Sequence, residues 1–369
     1  MIDKARRELQ RMRETPEAWR ELRYERGTGA DGYDFDVNAV RRAQVLWALQ
    51  YDRRPGDLAL VRWVAGAEAQ CRREAPFQGL TRETELAGFL LAEYRQVEDV
   101  WTQWDLKRAN FDTWCGYDIE HVLAAGVETT LAFVRDSGHP YRREVLDRLL
   151  GDDGRPESSE EDVAEWAQSR RHDFPGDPAG EDPLTWIERA KLAGDDDLAR
   201  QWLDRWAADR PRDEDMLTQL RYQLADLGDF AAAAAAKREL LAFAVSAWDR
   251  ASAWVSLAEL ERRAGDHAAA WEALRECGRA LEDVSDWAEV GLGRMFVHEL
   301  FLLAGAAGND LAGVVFAEAH RQAAVVPDLS LVALQAATEA AVRVGDRERS
   351  GHYRRLRDAE QRRIDELMP

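Results

Sequence analysis

Apolar residues recur every three or four positions through most of the chain, the spacing of helices with one buried face. Residues 2–23 carry Leu9, Met12, Trp19 and Leu22 on one such face and read as the first helix. Gly27-Thr28-Gly29-Ala30-Asp31-Gly32 breaks the pattern. With no strand before it and no Gly-Lys-Ser/Thr behind it, this is a loop rather than a phosphate cradle. Helices then follow closely from Val37, with Val40, Val45, Leu46 and Leu49 on one side. Pro55-Gly56-Asp57 turns the chain into LALVRWVAGAEAQC, and the next break falls at 75–80. Thr81 is placed to cap a helix holding Leu86, Phe89, Leu90 and Tyr94. Residues 110–117 interrupt the periodicity, after which Asp118 stands as the N-cap of IEHVLAAGVETTLAFVRD. Ser137-Gly138-His139-Pro140 closes that helix, and YRREVLDRLL ends at Gly151. Residues 1–150 are therefore predicted as an N-terminal domain of paired helices.

Residues 151–182 change character: 11 acidic residues stand against 3 basic ones, with Pro156, Pro175 and Pro178 among them. Such composition predicts an acidic linker extended by its own repulsion, interrupted by one short helix over 160–171 with Val163 and Trp166 inward.

From Pro183 onward a turn repeats. Gly-Asp stands at 194, 228, 265 and 345, with the variant Gly308-Asn309-Asp310, giving spacings of 34, 37, 43 and 37. Glycine takes positive φ at a helix end without steric cost, and Asp can cap the helix that follows. Five residues beyond the Gly-Asp glycines stand Ala199, Ala233, Ala270 and Ser350, small enough for two helices to approach closely. Nine beyond stand Leu203, Lys237, Leu274 and Arg354, so two repeats depart from an apolar pattern there. Ala253–Cys277 is the clearest unit: Trp254 and Leu257 lie on one helix face, Gly265-Asp266 turns, and Ala270 and Leu274 face inward. Together with the first spacing of 34, this resembles the tetratricopeptide repeat family of stacked helix hairpins. The resemblance implies an all-α fold: an α-solenoid of five hairpins over 183–369, one of them divergent at 287–326, ending in a charged capping helix.

The resemblance also implies a concave groove lined by the first helix of each hairpin, with a protein or peptide as the bound partner. Matching positions are Glu188 and Lys191, then Thr218, Tyr222 and Asp226, then Glu259, Arg262 and Arg263, and finally Gln335, Glu339 and Arg343. The Lys, Asn and Arg pattern that clamps a C-terminal carboxylate in some members is absent. The expected role is thus a non-enzymatic scaffold or adaptor. The alternative is a regulator in which the solenoid senses a peptide or small ligand and the N-terminal domain binds an effector.

Composition narrows the choice. The 369 residues exceed the roughly 250–300 at which single cores stop growing, so two domains are expected. Net charge is -20, and residues 1–150 hold 23 basic against 26 acidic residues, so most of the excess lies beyond them. That field disfavours nucleic acid and favours a basic partner. The charged, periodic N-terminus and the lack of a long apolar run predict a cytoplasmic chain that does not enter membranes. Cys71, Cys115 and Cys277 form no CxxC pair and are expected to pack as small buried hydrophobes.

A second candidate pocket is the aromatic stretch 101–126, where Lys107, Asn110, Asp112, Asp118 and His121 stand among Trp101, Trp104, Trp114 and Tyr117. Convergent polar groups among aromatics are typical of small-molecule pockets, but helix capping by Asp112 and Asp118 explains them more simply. No HExxH or EF-hand spacing is present, so neither a metal nor a cofactor is expected. His121 follows Cys115 by six residues, too slender a basis for a nucleophile–base pair.

Overall fold

The computed structural model describes residues 1–29, 32–75 and 79–367, and is all-α apart from one small hairpin. Its two compact units divide between Asp195 and Asp196. In the first unit, α1 (Ile2–Glu14) buries Ala5, Leu9 and Met12, and packs on α2 (Ala39–Asp52). The expected single helix over 2–23 is broken: Pro16, which has no amide hydrogen to donate, starts a separate 3-10 helix at Pro16–Leu22. Strands β1 (Arg26–Thr28) and β2 (Asp34–Asp36) pair with Gly27 opposite Phe35, so Gly27 and Thr28 of the predicted loop are strand. Positions 30 and 31 of that loop lie outside the described residues. A Cβ at Gly27 would stand 2.9 Å from both the Phe35 ring and Val37, so a larger residue there would make these two exposed side chains shift.

Helix α2 is buried from Arg42 through Gln50, covered by α1, by α4 (Arg82–Ala92) and by the chain around it. Helix α3 (Leu58–Glu74) packs on α4 and on α5 (Val100–Lys107). Trp47, Leu46, Leu60, Leu90 and Tyr117 are among the side chains closing this core. Arg42 is buried against it. Arg42 pairs with Asp36 at 2.7 Å and with Glu68 at 2.6 Å, and Glu68 also accepts from Thr84 Oγ1 at 2.8 Å. A smaller core gathers Trp104, Leu131, Val145 and Val163 from α5, α7 (Val127–Asp136), α8 (Arg142–Leu149) and α9 (Glu160–Asp173), with Val122 from the chain before α7.

The acidic stretch is docked rather than extended. Ser159 caps α9 in a reciprocal box with Asp162, and Val163 is buried. Phe174 is buried and stacks on Phe89 at 5.5 Å, and buried Glu181 accepts from Gln50 Nε2 at 2.9 Å and Tyr51 Oη at 2.6 Å. Arg189 of α10 (Pro183–Leu192) completes that cluster, donating to Tyr51 Oη at 2.5 Å and Gln50 Oε1 at 2.6 Å. Residues 151–195 therefore belong to the first unit, not to a linker and a solenoid. Two buried aromatics and two polar anchors outweigh the charge repulsion that composition alone emphasises.

Glycine 88 marks how closely this first unit is packed. A Cβ there would lie 1.9 Å from Tyr117 Oη and 2.7 Å from its Cζ. Tyr117 donates to Gln103 Oε1, and Gln103 Nε2 donates to the Gly88 carbonyl at 2.9 Å. In an exposed helix, Gly→Ala stabilises by about 1 kcal/mol. Gly88→Ala is expected instead to cost about 2–3 kcal/mol in urea unfolding, because the ring must move. Adding Tyr117→Phe removes the nearest clash and should restore part of the loss.

The second unit runs through α11 (Asp196–Ala208), α12 (Glu214–Asp226), α13 (Phe230–Leu240), α14 (Ala247–Arg263) and α15 (His267–Leu281). It continues through α16 (Gly291–Ala306), α17 (Asn309–Ala323), α18 (Leu331–Arg343) and α19 (Arg347–Leu367). Consecutive helices pair, and α14 meets α16 as α16 meets α18, so each hairpin touches its neighbours in a solenoid-like order. The turn glycines 228, 265 and 345 adopt φ of 76°, 85° and 78°. Asp229 and Asp266 cap the next helix through Ala232 and Ala269 N–H, and Asp346 accepts from Arg349 N–H. Ala199, Ala233 and Ala270 are fully buried, and Ser350 nearly so. Where the predicted pattern failed, the side chain is less buried: Lys237 is half-buried and Arg354 exposed.

Candidate partner-binding groove

One face of the second unit is built by α14, α16 and α18, the first helices of successive hairpins. Arg262 ties two of them together, donating from Nε to Glu299 Oε1 at 2.5 Å. Glu299 is buried, and burial holds its carboxyl above the usual range against the opposing pull of Arg262. Over α18 lies a cavity of about 620 Å³. His298 and Leu302 line it from α16, Leu331, Val332, Gln335, Ala336 and Glu339 from α18, and Arg357 and Asp358 from α19. Val332 of this lining is 62% exposed, and the same two helices expose Met295 on α16 (57%) and Val342 on α18 (60%). Cavities of this size with mainly apolar walls and a few placed polar groups are the usual form of a binding site.

The polar groups at the cavity are unequally satisfied. Arg357 pairs with Asp358 at 2.7 Å and donates to Gln335 Oε1 at 3.0 Å, and Gln335 in turn donates to Glu339. Glu339 has no cationic partner among the described residues. Burial, helped by the charge of Arg262 and opposed by Glu259, lowers the His298 pKa from its ordinary value and so disfavours the charged ring. No protein-family model and no curated protein matches this chain.

The eleven positions singled out from the sequence divide between the two units. Glu188 and Lys191 lie in the first unit and pair with one another at 3.0 Å. Tyr222 is exposed beneath Arg221, whose guanidinium stands 3.6 Å from the ring centre, with Thr218 half-buried and Asp226 exposed on the same helix. Glu259 pairs with Arg263 at 3.4 Å, and Arg263 turns over the Phe230 ring of α13 at 4.0 Å. Arg343 donates to Asn309 Oδ1 at 2.8 Å. Only Gln335 and Glu339 reach the cavity. His298, Leu302, Val332 and Arg357 were missed. The first two sit in the divergent hairpin at 287–326, where no groove positions were assigned, and Arg357 lies in a helix read as a polar cap.

A second cavity of about 300 Å³ opens among Trp271, Arg275, Arg279, Trp287, Phe296 and Arg321. Each of its arginines is already held by the glutamate three residues earlier, Glu272, Glu276 and Glu318. Its charge is compensated, and the cavity over α18 is the stronger candidate.

The aromatic stretch 101–126 is a packed corner. Trp104 and Tyr117 are buried, Trp101 stacks on His139 at 3.9 Å, and Trp114 meets Trp104 edge-on at 5.8 Å. Lys107 is buried and donates to the carbonyls of Trp114 at 2.5 Å and Tyr117 at 2.6 Å, while burial lowers its pKa. Asn110, not Asp112, caps α6 (Phe111–Gly116), and Asp112 is exposed in its first turn. Asp118 makes no cap. It accepts from Trp166 Nε1 at 2.8 Å, and the helix predicted to follow it is a 3-10 turn at Ile119–His121 broken from α7 at Gly126, φ 109°. Trp166, 48 residues away, offers a better donor than the local amides, which no local pattern reveals. Cys115 is exposed, contrary to expectation, because it lies on the outer side of α6 with Phe111, while Cys71 and Cys277 are buried.

His121 is enclosed between the Tyr117 ring, stacked at 4.1 Å, and the edge of Trp166 at 4.6 Å. Burial pushes its pKa down to about 4, and no hydrogen bond joins it to Cys115 among the described residues. Unfolded, it would titrate near 6.5. Between those values the unfolded chain binds a proton that the folded chain refuses, so stability falls as pH drops through that window and levels off below it. The expected total is roughly 3 kcal/mol at about 1.4 per pH unit. Urea midpoints from pH 7 to pH 4 should show this slope, and His121→Phe should flatten it.

Among the described residues, no group of three His, Cys, Asp or Glu side chains is placed to hold a metal ion. No helix among them is long and apolar enough to cross a membrane.

Proposed function

We propose that this chain is a non-enzymatic interaction protein that binds a peptide segment of a partner along the α14–α16–α18 face. The observation that carries this reading is the cavity over α18, lined by exposed Val332, on helices that also expose Met295 and Val342. A cavity with mainly apolar walls and a few polar groups is the usual form of a binding site, and exposed apolar side chains on the same two helices add to the apolar area a partner could cover. The excess of acidic residues, net charge -20, favours a basic partner.

The test is affinity capture from a lysate of the source organism, with wild type beside a Met295→Gln/Val332→Gln/Val342→Gln variant. All three positions are exposed, so the fold should be spared, as circular dichroism would verify. The expected result is a partner retained by wild type and lost by the variant, with hydrogen-exchange protection of α18 in the wild-type complex. A partner indifferent to the variant would remove this face from consideration.

A further inference from the structure

Resting on that reading, we infer that the cavity over α18 is an anchor site for a lysine or arginine side chain of the partner peptide. The aliphatic stem of that residue lies on Leu302, Val332 and Ala336, and its cationic head pairs with Glu339. Four observations select this occupant. The walls are aliphatic near Leu302 and Val332 and end in a carboxylate, which matches a side chain with an apolar stem and a charged tip. Glu339 has no cationic partner among the described residues, its one hydrogen bond coming from Gln335. The cavity's own cation, Arg357, is already neutralised by Asp358 at 2.7 Å, so the lining carries a net negative charge. His298, half-buried on α16, offsets this little, because burial disfavours its charged form. A purely aliphatic anchor would desolvate Glu339 without replacing its water, and an acidic one would meet it as a like charge.

The probe is a phage-displayed random peptide library selected on the full-length chain. Recovered peptides are then synthesised with a fluorescein label and titrated by anisotropy. Selection should enrich Lys or Arg beside aliphatic residues. Glu339→Gln should weaken the recovered peptides about tenfold, as loss of a charge-assisted bond does. Replacing the peptide's basic residue by norleucine should cost the same, and the two losses should not add. Glu339→Lys should recover affinity for a peptide whose anchor is changed to glutamate. Peptides that lose binding to the Met295→Gln/Val332→Gln/Val342→Gln variant but ignore Glu339→Gln would overturn the anchor and leave the groove standing. Absence of any bound peptide, or binding indifferent to both variants, would overturn the groove reading and the anchor with it. Glu339 is exposed, so a change in melting temperature is not expected from its substitution.

Discussion

Replacing Arg42 by methionine is expected to destabilise the first unit by about 3–5 kcal/mol, read as a lowered urea midpoint at pH 7. Arg42 is fully buried and supplies the charge opposite two buried carboxylates, at 2.7 Å for Asp36 and 2.6 Å for Glu68. It also donates to the Leu22 carbonyl at 3.2 Å, joining the 3-10 helix at Pro16–Leu22, the β2 strand and helices α2 and α3 at one point. Methionine keeps the stem volume and removes the charge, taking the ion-pair partner from buried Asp36 and leaving buried Glu68 with only Arg72 and the Thr84 hydroxyl. Burial by itself would raise the Glu68 pKa, but the charges of Arg42 and Arg72 and the bond from Thr84 outweigh it and hold the carboxyl below its usual range. A depressed carboxylate pKa stabilises above the unfolded value and loses that contribution as pH falls. Wild type should therefore lose stability on acidification while Arg42→Met, whose Glu68 is held down only by Arg72 and Thr84, loses less, so the gap between them narrows. Adding Glu68→Leu to Arg42→Met should recover part of the loss, since a buried pair replaced by apolar groups is tolerated better than half a pair. A gap that stayed constant from pH 7 to pH 4 would contradict the electrostatic account.

Leu257→Asp is expected to cost about 4 kcal/mol and to lower the calorimetric transition of the second unit by about 10 °C. Leu257 is 3% exposed on α14, which packs on α13, α15 and α16, so the substitution reaches three helices at once. It forfeits roughly 2 kcal/mol of apolar burial and places a carboxylate where no cation waits. Hydrogen exchange should show the lost protection centred on α14 and α15. Leu257→Met, similar in volume, should cost under about 1.5 kcal/mol, separating the charge from the shape. A wild-type transition for Leu257→Asp would mean that the hairpin register is wrong.

Much of the second unit was legible because its signals are local. The Gly-Asp turns at 228, 265 and 345 needed positive φ and a capping carboxylate, and both requirements are met within a few residues of sequence. Small residues five positions on were legible for the same reason, since helix period and turn length fix which side they face. The candidate site was legible only in part. Gln335 and Glu339 follow from repeat position, but Arg262 is drawn to Glu299 and Arg263 to Phe230 by neighbours in other helices. A position on a helix face says where a side chain starts, and the partners that claim it come from elsewhere in the chain.

The sequence by itself determined the helices, most of their ends, the pairing of neighbours after Asp196 and the acidic field of the whole chain. These depend on propensity, on period and on charges that add wherever they lie. Tertiary structure alone decided that 151–195 docks on the first unit, through Phe174 on Phe89 and Glu181 with Gln50, Tyr51 and Arg189. It alone decided that Asp118 serves Trp166 rather than a helix end, and that Glu339 lines a largely apolar cavity with no cationic partner among the described residues. Each of these rests on groups tens of residues apart competing for the same hydrogen bond, ion pair or volume. Such competition is resolved only when the whole chain is packed.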